Sequence, residues 1–263
     1  MHNLNDIDPG MTIDWGKTSR DYAKYRPGPP PSFYIKMQEC GIGLRDQSIL
    51  DLGTGTGVLA REFAKNGANV TGLDISSEQV AMASSLAKDE KLEINFVASD
   101  ANKLPFEDNS FEAITANQCF LYFDKEKVIP EIKRLLKNGG LFSTSHFCWL
   151  PLIDNTAKKT EELILKHNPN WTAHSYSGEI PKFPTWAQNE FELAGHFIYD
   201  EEVAFTWESW CGRIRACRGV GAALSPEDVK KFDDEHLELL KNLVPENFTV
   251  THRIDAHIYR PRK

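Results

Sequence analysis

The feature that most constrains this chain is the segment Asp51-Leu-Gly-Thr-Gly-Thr-Gly57, which stands between a short apolar run and a helical pattern. The run SILDL at 48–52 predicts a buried strand, and VLAREFAKNG at 58–67 has apolar residues at helical spacing. Glycines let the backbone turn sharply and approach a ligand closely, and the following helix presents free N–H groups. A strand, a glycine-rich turn and a helix in this order predict a cofactor site.

The alternation of strands and helices continues along the chain. Apolar runs predict further strands at 69–74, 92–100, 111–119, 141–147, 196–205 and 251–260. Helical patterns occur at 32–40, 76–90, 125–140, 156–166, 186–194, 207–218 and 226–243. We therefore predict an α/β fold, with a Rossmann-like, mostly parallel seven-stranded sheet, helices on both faces and a helical cap.

The pattern divides the chain into four predicted parts. Residues 1–47 form an N-terminal segment with a proline cluster, and 48–147 form the ligand-binding core. Residues 148–185, which are rich in proline, tryptophan and histidine, form a cap insertion. Residues 186–263 complete the sheet and add helical cap elements.

Composition excludes several functional classes. The formal net charge of −8, from 30 basic and 38 acidic residues, disfavours binding to nucleic acid or to an anionic membrane surface. The polar start MHNLNDIDPGM lacks the basic and apolar regions of a signal peptide, so we expect a cytoplasmic protein that is not membrane-bound. The five scattered cysteines contain no C-x-x-C pair, which predicts reduced thiols and no metal site.

A second acidic residue limits the kinds of cofactor that the site could bind. Asp74 comes 23 residues after Asp51, at the end of the next predicted strand, where a carboxylate can accept two hydrogen bonds from a ribose diol. This pair predicts an adenosine-containing ligand. Glycine spacing alone leaves two cofactors open, because Gly55-Thr-Gly57-Val-Leu-Ala60 also satisfies the G-x-G-x-x-A pattern of nicotinamide-binding proteins.

Two features favour one of these cofactors. Asp51 closes the first strand in a D-x-G-x-G-x-G pattern, and a third acidic residue, Asp100, follows the third strand in SDANKLPF. This combination resembles the class I S-adenosylmethionine-dependent methyltransferases over about residues 48–147. The LPF after Asp100 is typical of the branch that acts on small molecules and quinone-like substrates.

The resemblance implies a role for each matching residue. Gly53, Gly55 and Gly57, with Thr54, would form the cofactor turn, and Asp51 would lie near the methionine amino group. Asp74 would bind the ribose hydroxyls, with Ile75 beside it, and Asp100 and Ala101 would meet the adenine. Asn117 and Gln118 would line the methionine end and the entrance to the acceptor pocket; Gln118 taken alone is equally compatible with an ordinary turn residue.

The N-terminal segment adds a weaker resemblance. Tyr22-Ala-Lys-Tyr25-Arg26-Pro27-Gly28 is similar to the trans-aconitate methyltransferase-like branch, in which such a segment closes over the cofactor. Residues 1–47 are therefore predicted to be a lid. Arg26 would pair with the cofactor carboxylate, or else would be an exposed surface charge, and Tyr22 would contact the substrate.

The acceptor pocket is predicted from residues beyond the core motifs. His146 follows the fifth strand at the carboxyl edge of the sheet and is the candidate catalytic base, needed only if the acceptor is a hydroxyl or a carbon acid. Tyr176 and Trp186 would join it from the cap. Arg215 and Arg218, three apart on a predicted helix, would bind an anionic small-molecule acceptor, or else would form a basic face paired with acids.

Three alternatives bound the function. The segment ITANQCF stands where methyltransferases of exocyclic amines on nucleic-acid bases or of protein glutamine carry a D-P-P-Y-like motif, so such substrates are disfavoured. A nicotinamide-dependent oxidoreductase would need a Tyr-x-x-x-Lys pair, which the α/β region lacks. A non-catalytic protein that binds S-adenosylmethionine would share every cofactor residue and remains an alternative. Neither the acceptor nor the oligomeric state follows from the sequence.

Overall fold

The computed structural model describes residues 19–26 and 28–262 of the chain. The first 18 residues of the predicted lid therefore lie outside the described part, as does the side chain of Tyr22, whose predicted substrate contact stays a prediction.

A single seven-stranded sheet organises the described residues. Its strands are β1 Ser48–Leu52, β2 Asn69–Asp74, β3 Asn95–Ala98, β4 Phe111–Asn117, β5 Leu136–Trp149, β6 Phe191–Thr206 and β7 Asn247–Pro261. Their spatial order is β3-β2-β1-β4-β5-β7-β6, and β7 alone among these strands runs antiparallel to its neighbours. The predicted α/β class and mostly parallel sheet are confirmed.

Helices cover both faces of the sheet and build a cap. They are α1 Ser19–Tyr25, α2 Pro31–Glu39, α3 Val58–Lys65, α4 Ser77–Asp89, α5 Lys125–Leu135, α6 Asn155–His167, α7 Thr185–Gln188, α8 Trp207–Arg215 and α9 Pro226–Leu243. A 3₁₀ turn spans Phe120–Tyr122. Polar caps set several helix starts: the Ser76 hydroxyl accepts from the Gln79 amide, and Thr206 and Ser209 cap each other at the start of α8.

Each layer has its own hydrophobic core. One core packs α5 and α7 against one face of the sheet, around Ile114, Phe142 and Tyr259. A second packs α2 and α3 against the other face, around Phe63 and Ile258. A third lies under α6, α8 and α9, so the cap is a packed unit that stands on the ends of β5, β6 and β7. No helix within the described ranges is both long and apolar enough to cross a bilayer.

The structure corrects three predicted boundaries. The helix predicted over 186–194 is the short α7, and β6 begins at Phe191, because pairing with β7 outweighs the helix propensity of the glutamate, leucine and alanine in FELA. The helix predicted over 125–140 ends at Leu135, where β5 begins. The helix predicted over 207–218 ends at Arg215, since the chain then turns and the Gly221 amide bonds back to the Arg215 carbonyl.

Candidate cofactor and acceptor site

The glycine-rich turn has a shape that side chains would not permit. Gly53, Gly55 and Gly57 have φ angles of 61°, 56° and 76°, in the left-handed region that favours glycine. A Cβ on Gly53 would lie 2.7 Å from the Cys119 Sγ, and one on Gly57 would lie 2.9 Å from the Phe96 ring. The turn therefore keeps its backbone bare between β1 and the start of α3, and the Thr54 and Gly55 amides tie it to β2 by donating to the Leu73 carbonyl and the Asp74 carboxylate.

Asp51 supports this turn from inside the sheet. Its side chain is 2 % exposed, and its carboxylate accepts hydrogen bonds from the Thr54 hydroxyl at 2.7 Å and the Thr115 hydroxyl at 2.8 Å. Burial raises the pKa of Asp51 to about 6, although the two hydroxyls oppose the shift. The carboxylate thus ties the turn to β4; its predicted contact with the methionine amino group stays a prediction.

Asp74 joins the turn to the neighbouring strand. Its carboxylate accepts from the Gly55 amide at 2.9 Å and from the Ser76 amide at 2.9 Å, and burial raises its pKa. The next residue, Ile75, is 73 % exposed, which is unusual for a large apolar side chain beside a buried carboxylate. A largely buried carboxylate and an exposed apolar side chain therefore lie side by side at the end of β2.

The residues predicted to meet the adenine lie after β3. Ala101 is buried, at 8 % exposure, and Asp100 is exposed. The Asp100 carboxylate accepts from the Asn102 amide at 2.9 Å and so holds its own turn. Their predicted contact with adenine stays a prediction.

Strand register aligns the site residues along the carboxyl edge of the sheet. Leu52 pairs with both Leu73 and Ala116, and Asn117 pairs with Ser145. Asp74, Gly53, Asn117 and Ser145 therefore lie level with one another across β2, β1, β4 and β5, and His146 is the next residue on β5. With strands about 4.8 Å apart, Asp74 and His146 are roughly 14 Å apart across the sheet.

The end of β4 is closely tied to β5. The Ser145 hydroxyl donates to the Asn117 side-chain oxygen at 3.0 Å, and the Gln118 amide donates to the Ser145 carbonyl at 2.9 Å. Gln118 has a φ of 58°, and its side chain donates to the Phe147 carbonyl and approaches the Cys148 Sγ at 3.7 Å. Asn117 and Gln118 are thus both hydrogen-bonded to residues of β5.

Cys119 was not predicted. Its thiol donates to the Leu52 carbonyl at 3.1 Å and packs against Gly53, and burial raises its pKa well above the usual range. The signal in the sequence was its position directly after Asn117 and Gln118.

His146 lies three residues before the end of β5 at Trp149, level with the residue that follows β4. Its Nδ1 is 3.1 Å and 3.2 Å from the two carboxylate oxygens of Asp255, which lies opposite His146 on the neighbouring strand β7. The Asp255 side chain is fully buried, whereas the His146 side chain is 39 % exposed. Sequence reasoning missed Asp255; its one signal was a carboxylate within the otherwise apolar end of the last strand.

The cap crosses over this part of β7. The Arg253 guanidinium donates to the Gly178 carbonyl at 2.6 Å, and the His257 Nε2 donates to the Pro181 carbonyl at 2.8 Å. Burial, with the nearby charges of Cys148 and Asp255, raises the pKa of Tyr176. Tyr176 therefore lies within electrostatic reach of Asp255, and its predicted contact with substrate stays a prediction.

Two further residues predicted for the acceptor pocket, Trp186 and Arg215, make contacts with other parts of the protein. Trp186 packs in the sheet core, with ring centroids 4.7 Å from Phe120 and 5.4 Å from Tyr259, because α7 precedes β6 at the amino end of that strand. Arg215 binds Asp21 at 3.1 Å and Asp233 at 2.6 Å, so it links α1 to α8 and α9. Arg215 therefore belongs to the basic face paired with acids, the alternative predicted for it. Trp186 is partly buried against the sheet core, and its predicted contact with substrate stays a prediction.

The other arginines have separate environments. Arg218, beyond the end of α8, donates to the Tyr122 hydroxyl and the Thr172 hydroxyl, both at 3.1 Å, and so bridges the 3₁₀ turn and the cap. Arg213 is 3 % exposed and lies 5.0 Å over the Trp149 ring. Burial raises the pKa of Cys148 to about 11, and the charges of Arg213 and Arg26 both oppose this shift. Arg26 and Arg213 therefore lie near the carboxyl end of β5.

Two helices lie in the described part of the predicted lid, residues 1–47: α2 packs against the sheet, and α1 reaches other elements. Helix α1 contacts α4 on the core and α8 on the cap. The Tyr25 ring packs directly on Gly212, where a Cβ would lie 2.2 Å from it, and the Tyr25 hydroxyl donates to Glu208 at 2.7 Å. Because α4 follows Ile75 and α8 borders the acceptor side, α1 spans the two sides of the site.

Comparisons with known proteins agree with this geometry. Residues 50–144 match the family model described as a methyltransferase domain. The chain is 40 % identical to a sterol 24-C-methyltransferase of Gibberella zeae over 119 residues, 43 % of this chain and 31 % of that one. It is 37 % identical to the demethylmenaquinone methyltransferase of Thermotoga maritima over 108 residues, 40 % of this chain and 45 % of that one. The matched segment thus spans between about a third and a half of the length of these curated relatives.

Solved structures show the same fold. The YcgJ protein of Bacillus subtilis superposes with a TM-score of 0.53 at 22 % identity, covering 87 % of this chain and 98 % of that one. A phosphoethanolamine N-methyltransferase of Haemonchus contortus, solved with S-adenosylhomocysteine, has a TM-score of 0.55 at 19 % identity, covering 99 % of this chain and 59 % of that one.

Proposed function

We propose that this protein, whose residues 50–144 match a methyltransferase domain, transfers the methyl group of S-adenosylmethionine to a small-molecule acceptor held between β5 and the cap. The observation that carries the proposal is the bare glycine turn, hydrogen-bonded to Asp74 and flanked by the exposed Ile75. These residues fit an adenosyl ligand: Asp74 would hold the ribose, Ile75 would cover the base, and Asn117 with Gln118 would border the methionine end.

When bound, S-adenosylmethionine supplies a methyl group that is already activated by its sulfonium, so no protein nucleophile is needed. The protein has to hold the acceptor atom in line and exclude water. The cap and the end of β5 are suited to this task, since Gln118 separates the cofactor turn from His146 and Tyr176 approaches from above. Helix α1, held between α4 and α8, would close the site.

The acceptor class is proposed from the relatives and from local charge. The curated relatives are named for sterol and demethylmenaquinone substrates, which supports a small-molecule acceptor. In a chain of net charge −8, Arg26 and Arg213 bring two positive charges to the carboxyl end of β5. A negative group on the acceptor would be stabilised there, beside the Trp149 ring. The sequence predicted Arg215 and Arg218 as the residues that bind an anionic acceptor; in this proposal Arg213 has that role in place of Arg215.

Calorimetric titration with S-adenosylhomocysteine tests the cofactor site, with NAD(H) as the competing ligand. We expect Asp74→Asn to weaken binding about 10- to 100-fold, because hydrogen bonds to a charged group contribute about 1.5–3 kcal/mol. Asp234→Asn, on the exposed side of α9, removes the same charge outside the site and should bind normally. Binding of NAD(H) in place of the adenosyl ligand, or equal affinity in both variants, would contradict the proposal.

A further inference from the structure

The buried carboxylate of Asp255 is the feature that the cofactor site leaves unexplained. It lies fully buried on β7, the strand between β5 and the edge strand β6. Burying a carboxylate costs several kcal/mol unless hydrogen bonds compensate it. The compensating partner is the His146 ring, with Nδ1 3.1 Å and 3.2 Å from its two oxygens.

This contact sets the hydrogen on the His146 ring. A carboxylate accepts hydrogen bonds, so the hydrogen between the two groups resides on Nδ1 in the neutral ring. Nε2 then carries the lone pair. Within the described part of the chain, no hydrogen bond is made by Nε2, and the side chain is 39 % exposed. The neutral ring therefore offers Nε2 as a proton acceptor from an accessible position near the carboxyl end of β5.

A second histidine, His257, carries its ring hydrogen on the opposite nitrogen, Nε2. His257 lies on the same face of β7 as Asp255, with Nδ1 3.7 Å from its carboxylate. Its Nε2 donates to the Pro181 carbonyl at 2.8 Å, and burial lowers its pKa, so the neutral ring keeps its hydrogen on Nε2. Its ring stacks on His196 of β6, with centroids 4.3 Å apart. His257 consequently does not compete with His146 as a hydrogen donor to Asp255.

Resting on the proposed function, we infer that His146 is the general base for methylation of a hydroxyl group, and that Asp255 is the positioning residue that holds its Nε2 as the proton acceptor. The acceptor oxygen forms a bond to the methyl carbon while the carbon–sulfur bond breaks and its electron pair passes to sulfur. The hydroxyl proton passes to His146 Nε2 and leaves through the exposed edge of the ring. Alcohols and phenols need this assistance, whereas neutral amines need little.

The first test reads the tautomer directly and needs no acceptor. In protein labelled with ¹⁵N-histidine and saturated with S-adenosylhomocysteine, two-bond ¹H–¹⁵N spectra distinguish Nδ1–H from Nε2–H rings. His146→Gln assigns the signal, and His167→Gln, in the cap beside Glu235, is the matched control. We expect His146 as Nδ1–H in the wild type, and a shift toward Nε2–H in Asp255→Asn. An Nε2–H ring in the wild type, or the same tautomer in both proteins, would overturn the assignment of Asp255.

The second test measures methyl transfer from labelled S-adenosylmethionine to a panel of hydroxybenzoates and dihydroxybenzoates, with the corresponding aminobenzoates. We expect transfer to hydroxyl oxygens, with kcat reduced about 100-fold or more in His146→Gln and by a smaller factor in Asp255→Asn, and with KM little changed. Transfer to amines alone, or oxygen transfer that is insensitive to His146→Gln, would overturn the inference.

Cofactor binding separates failure of this inference from failure of the proposed function. Both variants should bind S-adenosylhomocysteine as the wild type does, because neither side chain forms the glycine turn. A wild type that does not bind it contradicts the proposed function. If Asp255→Asn does not fold, the wild-type tautomer and the kcat of His146→Gln still decide the case.

Discussion

The pH dependence of folding is set in part by Asp51, because this carboxylate is buried and its hydrogen bonds come from two hydroxyl groups. Its pKa rises from 3.8 to about 6 on folding. The folded state therefore binds a proton more tightly than the unfolded state does, and the stability from that proton is complete below pH 3.8 and lost as the pH rises through 6. This rise in the pKa of Asp51 corresponds to about 3 kcal/mol.

The variant Asp51→Asn isolates this effect. Asparagine keeps an acceptor for one of the two threonine hydroxyls and cannot ionise. We expect the unfolding free energy of the wild type, minus that of the variant, to fall as the pH rises. Over the whole window the change is about 3 kcal/mol, of which about half falls between pH 5 and pH 7.5.

Urea denaturation at half-unit steps from pH 5 to pH 7.5, followed by tryptophan fluorescence, measures the difference. Asp234→Asn on α9, where the side chain is 70 % exposed, controls for the loss of one negative charge and should give a difference that changes little with pH. A flat profile for Asp51→Asn, or a difference that grows with pH, would refute the reasoning, since it would mean that Asp51 is not desolvated beneath the turn.

Two further predictions examine Trp186 and Arg215, two residues predicted from the sequence to bind the acceptor. Trp186→Ala should lower the unfolding free energy by about 3 kcal/mol, because it opens a cavity beside Phe120 and Tyr259. The KM of the variant for the acceptor in methyl-transfer assays should stay at the wild-type value. A raised KM with normal stability would instead place Trp186 at the acceptor pocket. Arg215→Gln should accelerate proteolytic cleavage at α1 severalfold by removing its pairing to Asp21, with Lys230→Gln on α9 as the surface control; equal cleavage in both variants would show that this ion pair does not hold the helix.

Local sequence predicted the elements whose ends are set by neighbouring residues. The bounds predicted for β1, β2 and α9 agree with the structure, since glycine or asparagine delimits the two strands and Ser225 with Pro226 begins the helix. Prediction failed at β6, where residues of high helix propensity pair with a strand that lies far along the chain. It also failed at Arg215 and Arg218, because the end of α8 at Arg215 sends the two guanidinium groups to different partners.

The same distinction applies to the site. The cofactor turn is a local motif, so Asp51, the three glycines and Asp74 could be recognised from one stretch of sequence. Asp255 could not be recognised in this way, because it lies 109 residues after His146 and meets it only through the antiparallel register of β5 and β7. A histidine at the edge of a sheet is compatible with many roles. Its identity as a base depends on which nitrogen carries the hydrogen, and that is determined by a partner on the last strand of the fold.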